Sequence, residues 1–144
     1  MKAEQIQQTS ASTLEDALGK QMHQTYKEVV EAIGETVLPV NTGRNWTPYA
    51  ADNGAWLIAP NNKDGSEAIR TPHGDTVRLS NMVAGVSINL MALARLIEMM
   101  TIKGIEEHPS FARMQENFER LCEIATGDNY FTAKDKQSIF MATH

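Results

Sequence analysis

The segment that most constrains this chain is residues 80–100, SNMVAGVSINLMALARLIEMM. Val83, Val86, Leu90, Leu93, Ile97 and Met100 recur at three- and four-residue spacing and define one helical stripe. Met82, Met91, Leu96 and Met99 fill most of the remaining circumference, while Ala84, Gly85, Ser87 and Ala92 are small. A helix apolar almost all round has to be wrapped by the rest of its domain. Ser80 stands where its N-cap is expected. At about 1.5–3 kcal/mol per fully buried large apolar side chain, such a helix supplies much of the stabilisation. The 144 residues suffice for one core, so 1–144 is read as a single domain built around this helix. The small residues predict a close approach by a sheet or a second helix.

Upstream lies WTPYAADNGAWLIAP, residues 46–60, with two tryptophans and a tyrosine around Asn53-Gly54. Asn-Gly between apolar runs is the strongest short hairpin signal. A two-residue type I′ turn there places Ala51 opposite Trp56 and Tyr49 opposite Ile58. Both faces carry apolar side chains. Pro48 cannot donate to a ladder, so its strand is expected at an edge or bulged, and a bulge would turn Trp46 and Tyr49 to one side. Turn residues at 61–66 and 72–75 flank short strands at 67–71 and 76–79, an expected antiparallel meander.

Three further segments read as helical. Ser12 with Glu15 and Thr13 with Asp16 are overlapping capping signals. They open a helix whose stripe is Leu14, Leu18, Met22, Tyr26, Val29, Ile33 and Val37, with Gly34 weakening its last turn and Pro39 ending it. His108-Pro109 begins a second, with Phe111, Met114, Phe118, Leu121, Cys122 and Ala125 inward and Gly127 as the stop. Residues 129–144 form either a short helix capped by Thr132 and packed by Phe131, Ile139 and Phe140, or a loose tail. Residues 1–11 are expected to be disordered. The fold class is α+β: a small antiparallel β-meander packed against a buried central helix, with flanking N-terminal and C-terminal helices.

The chemistry-bearing residues point away from catalysis. His23, His73, His108 and His144 are scattered and none has a partner at metal-ligand spacing, so no metal and no cofactor are expected. Cys122, the single cysteine, lies in an apolar stripe and reads as an inert thiol. No phosphate-cradling glycine motif and no Gly-x-Ser-x-Gly are present. His73-Gly74-Asp75 reads as a turn rather than an acid–base pair, and the chain is not expected to be an enzyme. With 13 basic against 18 acidic side chains and a net charge of −5, direct nucleic-acid binding is not expected either. The acids alternate with bases, which argues against imitation of a DNA backbone. The helices around 80–102 and 108–126 do not read as a helix-turn-helix, since the second carries more acid than base. No run is read as long enough to cross a bilayer, and the first ten residues lack an apolar core of signal-peptide type, so a cytoplasmic protein is expected. Residues offered as protein contacts are Trp46, Asn53 and Gly54 on the hairpin, with the acids Glu106, Glu107 and Asp128 at helix ends.

The order of these features resembles the ArdB/KlcA antirestriction proteins. Members read close to GG-x-W-x-F-Y-x-L-x-NGG-F-x-MAP, followed by a helix of the form S-x-E-A-A-G. The matching residues are Gly43, Trp46, Tyr49, Asn53, Gly54, Ala59, Pro60, Ser80, Ala84 and Gly85. Arg44, Pro48 and Ala55 depart from the motif, and the likeness covers about residues 42–126. The resemblance implies a protein of plasmids, phages or genomic islands that blocks type I restriction–modification enzymes by binding a subunit, without catalysis. The alternative is a non-catalytic module of a mobile element with a different protein target.

Overall fold

In the computed structural model, which describes residues 5–38 and 45–144, ten elements follow one another. They are β1 (Ile6–Gln8), α1 (Ala11–Leu18), α2 (Lys20–Val37), β2 (Asn45–Ala51), β3 (Trp56–Asn61), β4 (Ser66–Arg70), β5 (Thr76–Ser80), α3 (Asn81–Ile102), α4 (Pro109–Thr126) and α5 (Ala133–Thr143). The class is α+β, with α3 in the middle. Gly43, Arg44 and Pro39 lie outside the described residues.

Helix α3 is capped by Ser80, whose hydroxyl accepts from the Val83 N–H at 3.3 Å. It buries Val83 through Leu90 without interruption, then Ala92, Leu93, Leu96 and Met100. Met99 is exposed, so the greasy circumference opens to water near its end. By length and composition α3 is long enough to cross a membrane, contrary to the sequence reading. Most of it is instead enclosed by β3, α2, α4 and α5, as the core helix of this fold. Gly85 is the point of closest approach. A Cβ there would lie 2.5 Å from the Ala59 Cβ, so the predicted use of small residues is realised as helix against strand.

The strands form two sheets rather than one meander: β1-β2-β3, and a separate hairpin β4-β5. Of residues 1–11, expected to be disordered, those described, 5–11, are built into the fold. Ile6 buries its side chain, and Ile6, Gln7 and Gln8 pair with Ala51, Ala50 and Tyr49. Pro48 therefore sits in the central strand, at the point where β1 runs out. Its carbonyl still accepts from the Thr9 N–H at 3.0 Å, and the N–H it lacks falls where the ladder stops.

The β2–β3 register is one residue away from the two-residue turn. Ala50 faces Trp56, Tyr49 faces Leu57, Pro48 faces Ile58 and Trp46 faces Pro60. The loop has three residues, Asp52-Asn53-Gly54, closed by Ala51 N–H to Ala55 O at 2.8 Å and Gly54 N–H to Ala51 O at 3.0 Å. Only Gly54 has positive φ, +91°, which a three-residue loop requires of its last residue and a type I′ turn would require of Asn53 as well. Pairing is continuous, so no bulge intervenes, and Trp46 and Tyr49 point to opposite faces. Trp56 meets Tyr26 of α2 edge-to-face at 5.3 Å, and the Trp46 ring lies on Gly34. Gly34 thus serves a close contact rather than a weak turn.

Strand β3 is an edge strand, with its outward backbone groups covered by helices. Asn89 of α3, fully buried, accepts from the Ile58 N–H at 3.0 Å and donates to the Ile58 carbonyl at 2.6 Å. Asn117 of α4 does the same for Trp56, at 2.8 and 2.9 Å. The next outward position is Pro60, which has no N–H to satisfy. Asn89 also donates to Gly85 O at 2.7 Å and accepts from the Tyr26 hydroxyl, which uses its full hydrogen-bonding capacity. Burial holds the Tyr26 phenol well above its ordinary pKa, so it remains a donor.

The remaining helices differ from expectation in detail. The N-terminal helix breaks at Gly19, φ +83°, and begins at Ala11 without either capping box; the hydroxyls of Ser10 and Ser12 bond each other instead. Beyond the break the inward residues are Tyr26, Val30 and Ile33, so Val30 replaces Val29. In α4 the His108 ring caps Ser110 N–H at 3.2 Å, Asn117 takes the buried position, and Phe118 and Cys122 are half-buried. Burial and the neighbouring Glu119 push the Cys122 thiol pKa up, away from reactivity. The tail is helix α5, capped by Thr132 to Asp135 N–H at 3.1 Å. Tyr130, Phe131, Ile139 and Ala142 pack it down, whereas Phe140 is 61% exposed.

Two tests follow from this packing. Asn89→Leu or Asn117→Leu strips both partners from a buried peptide group and is expected to lower stability by about 2–5 kcal/mol in urea unfolding. Gly85→Ala is expected to cost about 1–3 kcal/mol by overpacking, and Ala59→Gly in the same chain to recover much of it. Additive losses in that double mutant would refute the contact.

Candidate functional site

The three hairpin residues and three acids named from sequence do not form one site. Asn53 and Gly54 sit at the hairpin tip, against the C-terminal half of α4. Trp46 lies at the other end of β2. Glu106 and Glu107 precede α4 and Asp128 follows it, so the helix's 18 residues separate them by about 27 Å at 1.5 Å per residue.

The tip is solvent-facing, yet its polar groups are engaged internally. Asn53 Oδ1 accepts from the Ala55 N–H and Nδ2 donates to the Arg120 carbonyl, both at 3.0 Å. The Arg120 guanidinium reaches the Gly54 carbonyl at 3.4 Å and pairs with Glu116 at 2.5 Å. Asp52 accepts from the Tyr130 hydroxyl. Burial, then the hydrogen bond and charge of Asp52, push the Tyr130 pKa up to about 12. The tip is a latched element, with Arg120 and Tyr130 as its latch. Neither carries a signal in the sequence: Arg120 falls outside the apolar stripe of α4, and Tyr130 lies in the stretch that reads as a short helix or a loose tail.

The acids are differently placed. Glu106 and Glu107 are exposed in the turn after α3, and Asp128 is 94% exposed. Lys136 lies 2.5 Å from Asp128 and holds its carboxyl below the ordinary value. An exposed pair of this kind adds little stability. Glu106 and Glu107 are exposed and the Asp128–Lys136 pair is solvated, so the fold does not depend on these side chains.

Trp46 is half-buried, in contrast to the buried Trp56. It lines a cleft of about 320 Å³ together with Thr9, Ser10, Ala11, His23, Lys27, Pro48 and Ile58. His73 and Asp75 are exposed on the β4–β5 turn. Among the described residues no group of three His, Cys, Asp or Glu could hold a metal ion.

Asp52→Asn tests the latch. The Tyr130 pKa, raised from 10 to about 12, is expected to fall back toward its ordinary value, read by NMR titration of labelled tyrosine. Because the folded-state pKa is raised, the latch's contribution is complete below pH 10 and fades as pH climbs through about 12. In the variant that alkaline loss should shrink.

No family model matches the sequence, and no curated protein matches it. A solved structure does. It is reported as "the structure of the KlcA and ArdB proteins", with a novel fold and "antirestriction activity against Type I DNA restriction systems in vivo but not in vitro". It aligns with all of this chain and all of its own at a TM-score of 0.73, with 20% sequence identity. The motif residues noted from sequence in the described part fall on β2, on β3, on the loop that joins them, on α3 and on its cap Ser80. The chain has the fold of the KlcA and ArdB proteins.

Proposed function

We propose that this protein is an antirestriction protein that counters type I restriction–modification systems by binding a protein component, without catalysis. The observation that carries this is the full-length correspondence with the KlcA and ArdB structure, reached independently of the hairpin motif. Two departures from that motif do not weaken it. Ala55 takes the place of a glycine without positive φ, and Pro48 stands where the β1 ladder ends. The net charge of −5 suits a protein target better than the DNA itself. On this reading the protein works in the cytoplasm, is carried by a plasmid, phage or other mobile element, and needs neither cofactor nor membrane. Contact falls on exposed side chains that the fold does not require, Glu106, Glu107 and Asp128, with the hairpin tip at Asn53 and Gly54 and the open edge of Trp46 as further surfaces.

The test is phage plating on hosts with and without a type I system. Expression of the chain is expected to raise plating of unmodified phage in the restricting host and leave the other host unchanged. Equal plating with and without the protein in the restricting host would remove the reading. A triple variant, Glu106→Gln, Glu107→Gln and Asp128→Asn, is expected to reduce the rescue at an unchanged Tm, since all three side chains are exposed.

A further inference from the structure

Helix α2 covers the two ends of the hairpin's inner face, through Tyr26 on Trp56 and Gly34 on Trp46, and leaves the middle open. The gap is the cleft of about 320 Å³, near the lower end of the ~300–1,000 Å³ usual for ligand pockets. We propose that it binds an aromatic or branched apolar group that carries a carboxylate. This stands apart from the antirestriction reading and does not depend on it.

The apolar half of the argument is the lining. Pro48 and Ile58 belong to one face of the hairpin, directly opposite each other across β2 and β3. Trp46, on the same face, forms a wall. Its ring is held from behind by Gly34, where a Cβ would come within 2.6 Å, so the indole is fixed before any ligand arrives. A preordered aromatic wall lowers the entropy cost of binding.

The polar half is the set of donors among the lining residues. Lys27 is exposed and has no ion-pair partner among the described residues. The Thr9 hydroxyl is paired with Thr13 at 2.8 Å, and the Ser10 hydroxyl with Ser12 at 2.6 Å. One proton bridges each such pair, and where Thr13 or Ser12 supplies it the hydroxyl of Thr9 or Ser10 keeps its own proton to donate into the cleft. His23 is the remaining polar wall, and its neighbour Glu15, 3.8 Å from Nδ1, is not part of the lining. Among the described lining residues there are one cation, two hydroxyls and no carboxylate, a set that favours an anion. The cleft's floor and wall require that the anion bear an apolar body.

The experiment follows the Trp46 indole N–H in ¹H–¹⁵N spectra of the full chain, assigned by its disappearance in Trp46→Phe. Three probes are titrated: 3-phenylpropionate, its neutral amide, and acetyl-Gly-Gly-Phe with a free carboxyl terminus. Saturable shifts with either acid are expected, with the amide weaker by about tenfold, the scale of one charge-assisted hydrogen bond. Lys27→Gln should reduce that preference to within about twofold at unchanged Tm. Tighter binding of 3-phenylpropionate identifies a free small acid as the source, and tighter binding of the peptide a chain terminus. The proposal is overturned if neither acid gives a saturable shift, if the amide binds as well as the acid, or if Lys27→Gln leaves the preference intact.

Discussion

The structure depends on how the outward edge of β3 is satisfied. A strand at a sheet edge presents N–H and C=O groups to whatever lies beside it, and here that is the hydrophobic core. Four backbone groups of Trp56 and Ile58 would be buried without partners. At about 1–3 kcal/mol each that is ~4–12 kcal/mol, comparable to the whole stability of a typical domain. Asn117 and Asn89 remove this cost by presenting a side-chain amide where the next strand's peptide would be. Two helices thereby take the place of a fourth strand. The asparagines also locate those helices, because a bidentate amide–peptide contact tolerates only a few tenths of an ångström. The Tyr26 hydroxyl on Asn89 draws α2 into the same point.

This requirement explains why the hairpin has the phase it has. Trp56 and Ile58 face outward only if Ala55, Leu57 and Ala59 face β2. A slip of one residue would exchange the two sets and turn every side chain over. The three-residue tip ending in Gly54 sets the same phase, as does Pro60, which sits at an outward position where no donor is needed. Gly85 opposite Ala59 and Gly34 beneath Trp46 then close the two faces. Independent local features agree on one register, which is what allows a short hairpin to serve as a rigid part.

The sequence made some of this legible and concealed the rest for identifiable reasons. Helix α3 was readable because an all-apolar circumference has few other uses, and α4 because His108-Pro109 and Gly127 mark its ends. The hairpin was readable and its register was not. Asn-Gly suits two turn types, and the choice was made by Asn53 spending its side chain on Ala55 and Arg120. Asn89 and Asn117 were invisible because an isolated polar residue in a helix has no periodicity, and its partner strand is 31 or 61 residues away. Strand β1 was lost for the same reason: three residues with one apolar side chain acquire strand character only by pairing with β2. Gly19 broke the first helix while the apolar spacing continued through it. Of the candidate contacts, Trp46 is half-buried where Trp56 is buried, and the acids are exposed. Spatial dispersal of the six could not be read from a linear chain.

The division between residues that hold the fold and residues left over bears on how the protein can act. The hairpin tip faces solvent, yet Asp52, Asn53 and Gly54 are all tied to Arg120 or Tyr130. Peeling the hairpin away to greet a partner would break those bonds and, further along, expose the peptide groups held by Asn117 and Asn89. Rearrangement of the hairpin is therefore costly, and under the proposed function a partner would meet a preformed surface. On such a surface the side chains that can be exchanged freely are those with no internal duty, as Glu106 and Glu107 are in the turn before α4. A fold maintained by a few buried amides and glycine contacts can keep its shape while its exposed positions change widely. The 20% identity over a full-length superposition fits that arrangement.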